Sequence, residues 1–165
     1  MDAAFYYLRK KKKCYPMEMT QKFTTTDSNF CKYIDEGWAA FQKCGGNYDW
    51  GLLGTCRDYV IGEHMKCNTP WVDVDFVYIP MQIGVMEHWV LLVLEVSKRS
   101  FTLYDSLSGL AEHDVEVDEA CAAIGNFLPH VLNNLGVFDG RPEAKKGNNL
   151  FLIYRCAENT KQDNG

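Results

Sequence analysis

Residues 71–80 read WVDVDFVYIP and residues 88–105 read HWVLLVLEVSKRSFTLYD, and these two runs decide the fold class. In the first, Val72, Val74, Phe76 and Tyr78 alternate with Asp73, Asp75, Val77 and Ile79, the period-two pattern of a strand with one wetter face at its beginning, which Pro80 is expected to close. In the second, His88 to Val96 is almost continuously apolar, as for a strand buried on both faces in the middle of a sheet. Ser97 to Ser100 is a polar loop of common hairpin length, so Phe101 to Asp105 is expected to return antiparallel.

Upstream, Asp2 to Lys13 holds good helix formers, with Ala3, Ala4, Tyr7 and Leu8 able to share a face, and ends in the basic run Arg9 to Lys13, where cations complement the helix dipole. That run reads equally as a nuclear-localisation patch or as a solvated helix end. A second short helix is expected from Phe30 to Phe41, with Phe30, Tyr33, Ile34, Trp38 and Phe41 inward and Gly45 and Gly46 closing it. Downstream, Val117, Ala120, Cys121, Ile124, Phe127, Leu128, Val131 and Leu135 recur at helical spacing, and Pro129 should kink or divide that helix because it lacks a backbone donor. A Gly/Pro/Lys-rich loop over 136–149 then leads to a last strand, LFLIYR, at 150–155. There is no internal repeat, and the pattern is that of one α+β domain over 1–165, a mixed sheet flanked by helices.

Composition narrows the function classes. Seventeen Lys and Arg against 22 Asp and Glu leave a net charge of −5, so no global cationic field points to nucleic acid. The longest apolar stretch, Val90 to Leu94, is far short of the ~20 residues that a bilayer-spanning helix needs, and no membrane partner is expected. At the N-terminus the charges follow the apolar residues, the reverse of a secretory signal, which favours a nuclear or cytoplasmic location. Seven cysteines, an odd number, fit reduced thiols there. No two cysteines are closer than eleven positions, and His64 with Cys67 is the one close His/Cys pair, so the spacing suggests no metal site. A monomer without a cofactor is expected.

Chemistry concentrates at the two ends of the hairpin. His88 begins one strand and Asp105 ends the next, so antiparallel pairing makes them neighbours. A carboxylate accepting from one imidazole nitrogen leaves the other free to take a proton from a nucleophile, although the same pair also serves as a structural hydrogen bond. His64, His113 and His130 read as surface or loop imidazoles, Asp73 and Asp75 as a solvated face, and Cys156 as a buried thiol at a strand end.

Trp71 with the Asp, Val-Tyr-Ile-Pro that follow, His88-Trp89 opening an apolar strand, and Leu103-Tyr104-Asp105-Ser106-Leu107 come in an order that resembles the catalytic domain of Ulp1-type cysteine proteases, the SUMO and ubiquitin-like-protein peptidases, in wording closest to members encoded in plant genomes. The opening MDAAFYYLRK is similar to that group's first helix, so the resemblance runs nearly end to end. It implies a papain-like α+β fold and, as partner, a SUMO-like modifier cleaved after its C-terminal Gly-Gly. His88 then matches the general base and Asp105 its orienting partner. Trp89 matches the aromatic lid over the Gly-Gly channel, its alternative being a core anchor. The family motif Gln-x-Asn-Gly-x-Asp-Cys-Gly has its first four positions matched by Gln162, Asp163, Asn164 and Gly165. Gln162 thus matches the oxyanion-hole residue, its alternative being a polar tail residue, and the resemblance puts the catalytic Cys three positions past Gly165. The resemblance therefore implies a domain incomplete at both ends, since a tryptophan-containing strand usually precedes the first helix. The rival expectation is an inactive remnant that at most binds a modifier.

Overall fold

The computed structural model describes residues 2–45, 47–84, 88–141, 144 and 151–156. Apolar alternation in the middle of the chain produces a five-stranded mixed sheet: β1 (Phe23–Thr25), β2 (Phe76–Ile83), β3 (His88–Glu95), β4 (Ser100–Tyr104) and β5 (Leu152–Arg155), lying side by side in that order. β2, β3 and β4 pair antiparallel, while β1 and β5 run parallel to their neighbours. β3 is the central strand, as its apolar content predicts. Only one of its rows is sealed: Val90, Leu92 and Leu94 are buried, whereas Trp89, Leu91 and Val93 are half-buried. The register continues the sealed row through Val77, Ile79, Met81 and Ile83 of β2 and Phe101 and Leu103 of β4.

The first strand departs from its sequence pattern in two ways. Trp71–Asp73 forms a 3-10 turn that buries Trp71 completely, and β2 starts only at Phe76, so the alternation that included Val72 and Val74 is not all strand. The core row is Val77 and Ile79, not Phe76 and Tyr78, because the turn resets which face meets the helices. Pro80 lies inside β2 instead of closing it. β1 pairs with β2 only from Phe76 to Tyr78, so beyond that point one edge of β2 has no ladder partner among the described residues and a missing N–H is tolerated.

Among the described residues four α-helices accompany the sheet: α1 (Asp2–Cys14), α2 (Phe30–Lys43), α3 (Thr55–Val60) and α4 (Ala111–Asn134). α1 forms where expected, but Tyr7 and Leu8 are exposed and its buried residue is Arg9, which reaches the Thr25 hydroxyl and, at 3.4 Å, the Lys66 carbonyl. In α2, Phe30 and Ile34 are buried, with Tyr33, Trp38 and Phe41 packed against the core; Gly45 follows with φ +54°, and Gly46 is outside the described residues. α4 is one helix of 24 residues, undivided by Pro129. Proline frees the carbonyl four residues before it, and here the Phe151 amide donates to the Gly125 carbonyl at 3.1 Å, replacing the lost bond and bringing the chain into β5. No helix among the described residues is long and apolar enough to cross a membrane.

The contact between α2 and α4 rests on a glycine. A Cβ at Gly37 would sit 2.5 Å from Cε1 of Phe127, a ring with no exposed surface. Gly37→Ala would gain about 1 kcal/mol of helix propensity, but overpacking a rigid buried ring costs about 1–3 kcal/mol. The expected net result is a lower urea midpoint, and Gly37→Ala/Phe127→Leu should recover part of it.

Candidate active site

His88 opens β3 and Asp105 follows the last residue of β4. Leu91 pairs with Tyr104, so one further step of the register sets Asp105 across from Val90 and diagonal to His88 on the sealed face. His88 Nε2 lies 2.9 Å from Asp105 Oδ1. With Nε2–H donated to the carboxylate, Nδ1 carries the lone pair and is the nitrogen that can exchange a proton with a nucleophile.

A second imidazole reaches the same carboxylate. His113, in the first turn of α4, places its Nε2 2.9 Å from Asp105 Oδ2, and the Leu107 amide donates to Oδ1 at 2.9 Å. The Asp105 side chain is 2% exposed, against 16% for His88 and 12% for His113. Burial pushes the Asp105 carboxyl up, but the Leu107 amide and the two imidazoles outweigh it and hold the group below its ordinary value. The donor atoms of His88, Asp105 and His113 all lie within 4.8 Å of one another.

His113 is therefore not a surface or loop residue. Apolar periodicity begins at Val117, whereas the helix begins at Ala111 after the φ +98° turn at Gly109, so the periodic signal starts one turn too late to include it. His130 is also on α4, half-buried against Phe41 with ring centroids 4.9 Å apart, and burial lowers its pKa. His64 is an exposed loop residue whose ring lies 4.1 Å from that of Tyr59. Asp73 belongs to the 3-10 turn, and Asp75 precedes β2 and meets Arg141 at 3.6 Å.

Trp89, pairing with Gln82, points to the opposite face of the sheet from His88 and is half-buried, which removes the sealed core anchor as its explanation. Gln162 is outside the described residues. Cys156 is half-buried, not buried; it follows β5, and its amide donates to the Leu103 carbonyl at 2.9 Å.

All seven cysteines are free. Burial pushes Cys56 and Cys121 up to about 12 and raises Cys31 further, while Cys14 and Cys44 are exposed. Thiolate is the reactive form, so mass-mapped alkylation at about pH 7.5 should label Cys14 and Cys44 first, with Cys31, Cys56 and Cys121 labelled only on unfolding. Early labelling of Cys121 would contradict the packing of α4.

Residues 1–163 match the Ulp1 protease family, C-terminal catalytic domain. No curated protein matches the chain. Among solved structures, the chain is similar to the SUMO protease Ulp1 with its catalytic cysteine oxidised to a sulfenic acid, at a TM-score of 0.43 and 14% identity over 92% of this chain and 53% of that one. The chain thus spans about half the length of that structure.

Proposed function

The chain belongs to the Ulp1 protease family through its C-terminal catalytic domain, and from that premise we propose that it carries the base and orienting residues of a cysteine peptidase that processes or deconjugates a SUMO-like modifier after its C-terminal Gly-Gly. The observation that carries this reading is the 2.9 Å bond between His88 Nε2 and Asp105 at adjacent strand ends. In the proposed mechanism His88 Nδ1 takes the thiol proton, the thiolate attacks the scissile carbonyl, and His88 returns the proton to the leaving amine. Asp105 fixes the tautomer and stabilises the imidazolium. Trp89 covers the glycine pair, which has no side chain to meet a flat indole, and the Gln162 side chain donates to the oxyanion. The nucleophile is the Cys of the family's Asp-Cys-Gly segment, which would continue the motif begun at Gln162.

The test is cleavage of a SUMO-like precursor by this chain continued through Asp-Cys-Gly, beside its His88→Ala variant. Turnover abolished by His88→Ala supports the reading. Binding of the modifier without turnover would instead support a non-catalytic domain, and turnover indifferent to His88 would overturn the assignment of the base.

A further inference from the structure

We infer that His88, Asp105 and His113 form a site for one divalent first-row cation of the zinc type. Two imidazole nitrogens and a carboxylate are a donor set that such ions accept. The donors come from the start of β3, the residue after β4 and the first turn of α4, so three packed elements hold them before any ion arrives. Both nitrogen-to-oxygen separations are 2.9 Å, and all three donors lie within 4.8 Å of one another. Adjacent ligands on an ion with bonds of about 2.1 Å stand about 3.0–3.4 Å apart; the two nitrogen-to-oxygen pairs are already close to that spacing, and the widest donor pair, within 4.8 Å, has to close by up to about 1.4 Å for the three to share an ion. The carboxylate is nearly sealed, while the partly exposed imidazoles leave room for a water or other fourth ligand.

Occupancy has a chemical consequence for His88. In the neutral tautomer whose Nε2–H donates to Asp105, Nδ1 holds the lone pair. With an ion on Nε2, the same proton resides on Nδ1, so no proton is gained or lost but Nδ1 can no longer accept one. The site itself does not depend on the peptidase reading. Its consequence, a reversible brake on the base, rests on that reading.

Cobalt(II) and zinc titrations of the 165-residue chain, with thiols kept reduced by a phosphine, test the site. One cobalt per chain is expected, with visible ligand-field bands and no sulfur-to-cobalt charge transfer. The imidazole NMR signals of His88 and His113 should shift together while those of His64 and His130 stay in place. His113→Ala should weaken binding by roughly tenfold or more, since even outer partners of metal ligands carry that much. A thiolate charge-transfer band, unmoved His88 and His113 signals, or undiminished affinity in a folded His113→Ala chain would overturn the site. None of these readouts needs a nucleophile, so an inactive peptidase leaves them untouched, and the unsubstituted chain's spectra decide the matter even if a variant misfolds. In the chain continued through Asp-Cys-Gly, zinc should inhibit at the affinity found by titration and a chelator should restore turnover. Inhibition that His113→Ala does not weaken would overturn the brake.

Discussion

The 165-residue chain mixed with a SUMO-like precursor is expected to give no cleavage above background, whereas the same chain continued through Asp-Cys-Gly cleaves it. In triad hydrolases, removing the nucleophile alone costs about 10⁶ in kcat, as much as removing the whole triad, so an intact His88 and Asp105 cannot compensate. A substitute thiol would have to come from the seven cysteines present. Cys31, Cys56 and Cys121 are held as neutral thiols by burial, and Cys156 is tied to β4 through its backbone. The assay includes Cys156→Ala in the 165-residue chain. Activity lost with both Cys156→Ala and His88→Ala would show that Cys156 is the nucleophile, and activity that survives His88→Ala would mark a contaminant.

Asp105→Asn in the continued chain should lower kcat by about 10⁴ with the fold preserved, the size of loss that follows when a triad carboxylate becomes an amide and the imidazole is held in the wrong tautomer. The amide oxygen can still accept from Leu107, so the turn after β4 survives. The side chain cannot accept from both imidazoles, because its nitrogen is only a donor. Stability separates the electrostatic role from the shape. The folded-state pKa of Asp105 is below its unfolded value, so its ionised form adds stability that is fully present above an unfolded pKa of about 4 and is lost as pH falls through the lower folded value. Among the described residues it is bonded by His88 from β3, His113 from α4 and the Leu107 amide, and Arg155 and the Cys121 thiol also lie within its electrostatic reach. Urea titrations at neutral pH and at about pH 3 should therefore show the Asp105→Asn chain less stable than the unsubstituted one at neutral pH, with that deficit shrinking on acidification. A kcat unchanged by the substitution would remove Asp105 from the mechanism.

Much of this was legible in the chain itself. The continuous apolar run of β3, the short polar loop and the return through β4 determined a hairpin, and a hairpin of that length determined that His88 and Asp105 share one end, since a one-residue slip would turn every sealed side chain of β3 outward. The helical spacing of α4 from Val117 onward determined its inner face, and the order of motifs pointed to the family. Other features were decided only by tertiary structure. Periodicity reports which side chains are buried together, not what a polar residue meets, so Arg9 turned inward toward Thr25 and His113 turned toward Asp105 with no apolar signal to announce either. Pro129 gave a local reason to break α4, but the break was averted by the Phe151 amide, a donor well beyond the helix that only folding brings to Gly125. The face of β2 was likewise settled by the turn at Trp71, whose indole is buried by elements distant in sequence. Local pattern specifies strands, helices and their register because it acts between near neighbours; the partners of buried polar groups depend on which distant elements close over them.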